Sequence, residues 1–252
     1  AKLEEALFSE ATLVTATGDD NTLRSIRDRL PIGVRFVGYG HKVSFGFIAH
    51  EALSGFSSHK LIARAADDVI AWNQLGCLSP HIFYVEMGGA TSPAQFAEHL
   101  AEELRKREST HPRGPVGVAE ASNIASRRSF YAVRAAHDAG TKSWGSDQST
   151  AWTVVFENDP QFQLSCLHRF IYVKAVGSLH QALCAADVVH GKVSTVGIAA
   201  LENRATAIAQ QLAKWGVTRI CPLGQMQNPP FTWRHDGRPA LEDLITWTDW
   251  EQ

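Results

Sequence analysis

The amino-acid sequence predicts an α/β fold whose sheets are mainly parallel. Short β-branched and aromatic runs alternate with longer stretches that carry apolar residues at helical spacing, and this alternation continues along most of the 252 residues. The hydrophobic share of 44% and the charged share of 20% are those of an ordinary globular chain, long enough to bury a large core. No segment repeats itself and none is of low complexity.

The elements follow in order. "AKLEEALFSEATLVTATGDD" reads as helix then strand, the strand "ATLVTAT" ending at Gly18. "DDNTLRSIRDRL" offers polar N-cap residues and then Leu23, Ile26 and Leu30 at helical spacing. "GVRFVGYGHKVSFGFIA" is strand-like and broken by glycines. "KLIARAADDVIAWNQ" predicts a helix ending near Gly76. "HIFYVE" is a strand, "SPAQFAEHLAEELRKRE" a capped amphipathic helix, and "SNIASRRSFYAVRAAHDAG" another helix. "AWTVVFE" and "FIYVKAV" are strands; "SLHQALCAADVVHG" is a helix ending at Gly191. "VSTVGIAA" then gives a strand and "ENRATAIAQQLAKWG" a helix. The Pro- and Gly-rich "CPLGQMQNPPFTWRHDGRP" predicts a long loop of the kind that carries function or lies at interfaces.

Composition excludes several classes. A formal charge of −2 gives no general attraction to nucleic acid or acidic membrane surfaces. No apolar stretch suffices to span a bilayer, "IARAADDVIAW" being interrupted by charge, and no signal-peptide pattern opens the sequence, so a cytoplasmic setting is expected. Cys77, Cys166, Cys184 and Cys221 lack the close pairing of a zinc site, so neither a metal nor a disulfide framework is expected. Three of the four are expected as small core residues. Cys77 stands apart: in "WNQLGCLSPHIFYVE" it follows a polar pair and a glycine, and no acidic residue lies between Asp68 and Glu86. On that context alone it can be a buried filler, half of a disulfide, a metal ligand or a nucleophile. A cysteine protease is disfavoured, because no nucleophile-helix motif precedes it.

The ordered segments "VTATGDDNTLRSI", "FVGYGHKVSFGFIA", "WNQLGCLSPHIFYVE", "LHRFIYVKAV", "GKVSTVGIA" and "RICPLGQMQNPPFTWRHDGRP" resemble the acyl-CoA reductase family. That family is a branch of the aldehyde dehydrogenase superfamily and includes the long-chain fatty acyl reductase of bacterial luminescence. The resemblance covers nearly the whole chain. It implies an aldehyde-dehydrogenase-like fold, with residues 1–76 as the C-terminal part of a nicotinamide-cofactor-binding domain whose upstream half is missing. Residues 77–252 would be an α/β catalytic domain with a C-terminal substrate-side loop.

The resemblance implies a role for each site residue. Cys77 would be the nucleophile, attacking an acyl thioester and then presenting the acyl-cysteine for reduction to aldehyde, with its own backbone amide a candidate oxyanion donor. Thr17, Gly18, Gly38 and Gly40 would bind the cofactor, NADPH or alternatively NADH, "ATGDDNTLRSI" resembling the turn that faces its phosphates. An Asp19 or Asp20 that merely caps the following helix is the plainer reading of that turn. Relatives that oxidise aldehydes carry a water-activating glutamate where this chain has Gly38, which favours reduction over hydrolysis unless Glu86 or Asp236 reaches the thiol. His41, next to Lys42, can donate to an oxyanion or tune the thiol, or be structural. Trp233 and His235, beside Asp236, would border the substrate entrance or anchor their loop by packing. His168, Arg169 and Lys174 lie about a strand near the nicotinamide ribose in relatives, with an ordinary sheet-edge charge as the alternative for Arg169. The implied partners are acyl-CoA or an acylated carrier or transferase protein, in an oligomer. Two alternatives stay open: an aldehyde dehydrogenase forming acid, and a catalytically silent fragment acting only through a partner half.

Overall fold

The structure is a computed structural model that describes residues 2–55, 58–239 and 241–252. The chain forms two compact units, one of residues 1–42 and 230–252, the other of residues 43–229.

In the first unit, α1 (Lys2–Glu10) leads into β1 (Leu13–Thr17), α2 (Asp20–Arg27) and β2 (Arg35–Tyr39). The strands pair in parallel from Leu13 opposite Arg35 to Thr17 opposite Tyr39, with α2 as the crossover. Asp19 caps α2, its carboxylate accepting from the amides of Asn21 and Thr22 at 2.9 Å each. The C-terminal segment is tied to this unit by a 2.8 Å hydrogen bond from Arg35 to the Ile245 carbonyl.

The second unit holds β3 (Val43–Ile48), α3 (Ser58–Ile70), β4 (Pro80–Glu86), α4 (Pro93–Thr110), α5 (Val118–His137), β5 (Thr141–Gly145) and β6 (Thr153–Glu157). It continues through β7 (Phe170–Val176), α6 (Leu179–Ala185), β8 (Val193–Ala199), α7 (Glu202–Lys214) and β9 (Arg219–Pro222). Its sheet runs β5-β6-β7-β4-β3-β8-β9, parallel throughout except for β5, which pairs antiparallel with β6.

Two apolar layers cover the sheet. Phe45, Ile82, Tyr84 and Tyr172 face α5, α6 and α7, while Phe83, Val85, Ile171 and Val173 face α3 and α4. This explains the near-continuous apolar sequence of β4, whose seven residues are all buried: a central parallel strand has no solvent face. At the start of α4, Ser92 and Gln95 form a reciprocal capping box with Pro93 in the first turn, as "SPAQ" predicts.

Several sequence expectations are corrected. "GVRFVGYGHKVSFGFIA" is two strands in two sheets, because β3 leaves β2 and pairs with β4 and β8. Residue 76, the expected change of domain, lies inside the second unit. α3 stops at Ile70, six residues before Gly76, and the chain reverses hand. β5 was unforeseen, and the expected loop at Cys221 begins with the end of β9. Of the three cysteines expected in the core only Cys221 is buried; Cys166 is half-buried and Cys184 is exposed. α6 buries Leu179, Ala182, Leu183 and Ala185, which leaves Cys184 on its outer side beside His180.

Candidate functional site

Cys77 is an exposed thiol on the turn that links α3 to β4. Ser79 N–H bonds the Gly76 carbonyl at 2.9 Å, closing a four-residue turn in which Cys77 points outward while Leu78 and Ser79 are buried. The turn stands at the amino ends of the parallel strands. Ser44 Oγ donates to the Cys77 carbonyl at 2.8 Å and accepts the Thr195 amide at 3.2 Å. Ser44 is wholly buried where the ladders of β3 with β4 and with β8 both shift register, so its hydroxyl serves main-chain groups that a regular ladder would have paired.

The approach to the turn is strained. Trp72, Asn73 and Gln74 all have left-handed φ, at 53°, 51° and 65°, a conformation costing about 1–2 kcal/mol for each such residue. Gln74 offsets the strain: fully buried, it donates through Nε2 to the carbonyls of Pro80 and Phe170, both at 2.8 Å. A second left-handed run, Leu167, His168 and Arg169, precedes β7. Arg169 joins the two runs, donating to Asn73 Oδ1 at 3.1 Å and to the His111 carbonyl at 2.7 Å. It is 5% exposed, so the reading of Arg169 as a sheet-edge charge is corrected. Burial and the neighbouring Arg113 hold the His168 imidazole below its ordinary pKa. Sequence reasoning missed Ser44, Asn73 and Gln74; the one available signal was Asn73, a residue type that tolerates left-handed backbone.

Glu86 does not serve this thiol. It ends β4, whereas Cys77 precedes the strand's beginning; six steps of ~3.3 Å put the two ends about 20 Å apart. Burial alone would raise the Glu86 carboxyl, but Arg204 and the His50 amide outweigh it and hold the group down at about 2. His50, Glu51 and Glu86 form the one group among the described residues with metal-ligand geometry. Arg204 already fills it, 2.8 Å from Glu86 and 2.5 Å from Glu51, so the cluster is an ion-paired clasp between α7 and the carboxyl ends of β3 and β4. A cavity of about 710 Å³, lined by Leu61, Arg64, Ile198, Ala209 and Cys221, likewise lies toward the carboxyl ends, away from the turn.

In the first unit, Thr17, Gly18, Gly38 and Gly40 gather at the carboxyl ends of β1 and β2, Gly18 N–H bonding the Tyr39 carbonyl at 3.2 Å. Open parallel sheets bind ligands at such ends. The amides of Asn21 and Thr22 that begin α2 are taken by Asp19, which serves as the helix cap, and Asp20 adds a second carboxylate beside it. His41 is exposed just beyond β2. His235 stacks on Tyr39 with ring centroids 4.5 Å apart and meets Trp233 at 4.7 Å, so these side chains do anchor their loop by packing. Asp236 sits in the same loop with φ 52°.

Asp68, on α3, bears on the turn through the segment after β9. Its carboxylate accepts the amides of Gly224 at 2.5 Å and Met226 at 2.9 Å, yet burial pushes its pKa up to about 7. An unfolded aspartate titrates near ~3.9, so between pH 4 and 7 the folded chain binds this proton more tightly. The stability gained is full below about pH 4 and lost as pH rises through 7, on the order of 4 kcal/mol. Asp68→Asn is expected to flatten the fall in denaturation midpoint between pH 5 and 7. Equal slopes for variant and unaltered protein would refute the assignment.

The fold is that of aldehyde dehydrogenases. A proline utilization A variant from Bradyrhizobium japonicum matches with a TM-score of 0.64 at 15% identity, over 88% of this chain and 23% of that one. Δ-pyrroline-5-carboxylate dehydrogenase from Mycobacterium tuberculosis bound with NAD matches at 0.57 and 12% identity, over 94% and 44%. Betaine aldehyde dehydrogenase from Staphylococcus aureus in complex with NAD+ matches at 0.59 and 13%, over 86% and 45%. The chain thus spans less than half of each of these solved chains. No curated protein matches it. The profile of the acyl-CoA reductase (LuxC) family matches residues 1–247, and the chain belongs to that family. That family is one of oxidoreductases. Among the described residues no helix is long and apolar enough to cross a membrane.

Proposed function

We propose that the protein reduces a fatty acyl thioester, on CoA or on an acylated carrier protein, to the aldehyde through an acyl-Cys77 intermediate. The observation that supports this most is the setting of Cys77: an exposed thiol whose turn is held by the neutral side chains of Ser44 and Gln227, with Glu86 at the far end of β4.

The Cys77 sulfur attacks the carbonyl carbon, the bond to the carrier sulfur breaks, and the carrier leaves as a thiol. When bound, a reduced nicotinamide, with NADPH as the proposed form, would supply the hydride that reduces the acyl group held on Cys77. The resulting thiohemiacetal collapses, releasing aldehyde and returning the Cys77 thiol. Thr17, Gly18, Gly38 and Gly40 are proposed to hold the cofactor and His41 to steady the oxyanion. Trp72 and Leu75, 74% and 55% exposed within five residues of Cys77, supply apolar surface suited to an acyl chain.

Gly38, in place of a water-activating glutamate, lets the acyl-cysteine persist until it is reduced. Incubation of the whole enzyme with labelled acyl-CoA and no reductant is expected to leave one acyl group on Cys77. Vigorous acid production from aldehyde and oxidised cofactor without CoA would instead establish a hydrolytic dehydrogenase.

A further inference from the structure

Resting on the reading of Cys77 as the nucleophile, we infer that Gln227 is a positioning residue that clamps the Cys77 turn. Its Nε2 donates to Ser79 Oγ at 2.8 Å. Its Oε1 lies over Gly76, where an added Cβ would stand only 3.1 Å away. One carboxamide therefore covers both ends of the turn, while Ser44 holds the Cys77 carbonyl between them. The main chain at Cys77 is fixed on two sides and its thiol remains exposed.

The segment that delivers Gln227 is itself immobilised by unusual means. Gly46 of β3 and Gly197 of β8 face each other in register. A Cβ at Gly46 would meet first Phe83 at 2.5 Å and then Leu223 at 3.2 Å, and one at Gly197 would meet Met226 at 2.8 Å, so the paired glycines leave room for Leu223 and Met226 beside Phe83. Arg219 bonds the carbonyls of Met226 and Gln225 at 2.7 and 2.8 Å, and Asp68 takes the amides of Gly224 and Met226. The segment is thus held by two buried side chains, Leu223 and Met226, and by four hydrogen bonds to its main chain. Gln227 follows this fixed segment directly, so the same contacts limit where its side chain can reach.

A displacement of about 1 Å at a reacting group can cost on the order of a hundredfold in rate. Gln227→Ala and Gly76→Ala, the second displacing the carboxamide without touching it chemically, are each expected to lower kcat for thioester reduction by about ten- to a hundredfold, with KM within about twofold. Amide hydrogen exchange at Ser79 is expected to quicken in both. Ser79→Ala is expected to add nothing to Gln227→Ala, since both remove one bond.

Unaltered exchange in Gln227→Ala, an unaltered kcat, or additive effects with Ser79→Ala would overturn the clamp. If the unaltered enzyme takes no acyl label on Cys77, it is the functional reading that falls, and quickened exchange in Gln227→Ala would still uphold the clamp.

Discussion

Cys77→Ala is expected to reduce aldehyde formation from an acyl thioester by at least about a thousandfold while leaving the fold intact. The two halves of that expectation have separate causes. In the proposed reaction the thiol is the group that becomes covalently bonded to substrate, and nothing in alanine replaces it. The turn is fixed through the Cys77 carbonyl, the Ser79 side chain and the buried Leu78, all of which survive the substitution. An exposed side chain removed without disturbing such contacts changes stability by about 0.5 kcal/mol or less. The check is aldehyde release by the variant against its thermal midpoint. Turnover near that of the unaltered enzyme, at an unchanged midpoint, would show that Cys77 is not the nucleophile.

Much of the fold was legible because parallel strands buried on both faces write themselves as apolar runs, as in "HIFYVE" and "VSTVGIAA". What escaped were choices made by tertiary pairing. β2 and β3 form one strand-like run in the sequence, and only the partners of β3 in the seven-stranded sheet separate them. β9 has four residues, one an arginine, and is a strand because β8 offers it a ladder. The helix before Cys77 ended early because Gln74 finds the carbonyls of Pro80 and Phe170, the second of them 96 residues away. No local propensity reports such a partner.

The candidate site divides in the same way. Cys77 and the glycines near β1 and β2 are visible as motifs. Ser44 and Gln227 are not, since a serine in a strand and a glutamine in a loop are ordinary residues, and their meaning lies in the Cys77 carbonyl and the Ser79 hydroxyl, 33 and 148 residues distant. Gly46 was readable as a break in a strand, but neither it nor Gly197 as room for Leu223 and Met226. The carboxyl-end rule for parallel sheets would place a ligand beside the His50, Glu51 and Glu86 cluster, where Arg204 already stands; the candidate nucleophile lies at the opposite, amino-end rim.

The largest effect on stability is expected from Glu157. Opposite each other in the β6–β7 ladder, Glu157 and Lys174 are fully buried and 2.5 Å apart. Arg134 of α5 approaches the second carboxylate oxygen at 2.7 Å. Burial lowers the Lys174 pKa in spite of Glu157, so the ammonium depends on that carboxylate to remain charged. Glu157→Leu leaves Lys174 desolvated and unpaired, while the partly exposed Arg134 can turn to water. Breaking one partner of such a pair costs about 3–5 kcal/mol, a fall in Tm of about 10 °C for a domain of this size. The double variant Glu157→Leu, Lys174→Met removes both charges and is expected to regain most of that loss, because well-packed apolar replacements of a buried ion pair are commonly neutral. Thermal denaturation of the two variants decides the matter: a double variant no more stable than Glu157→Leu alone would mean that shape at β6 and β7, and not the unpaired ammonium, sets the cost.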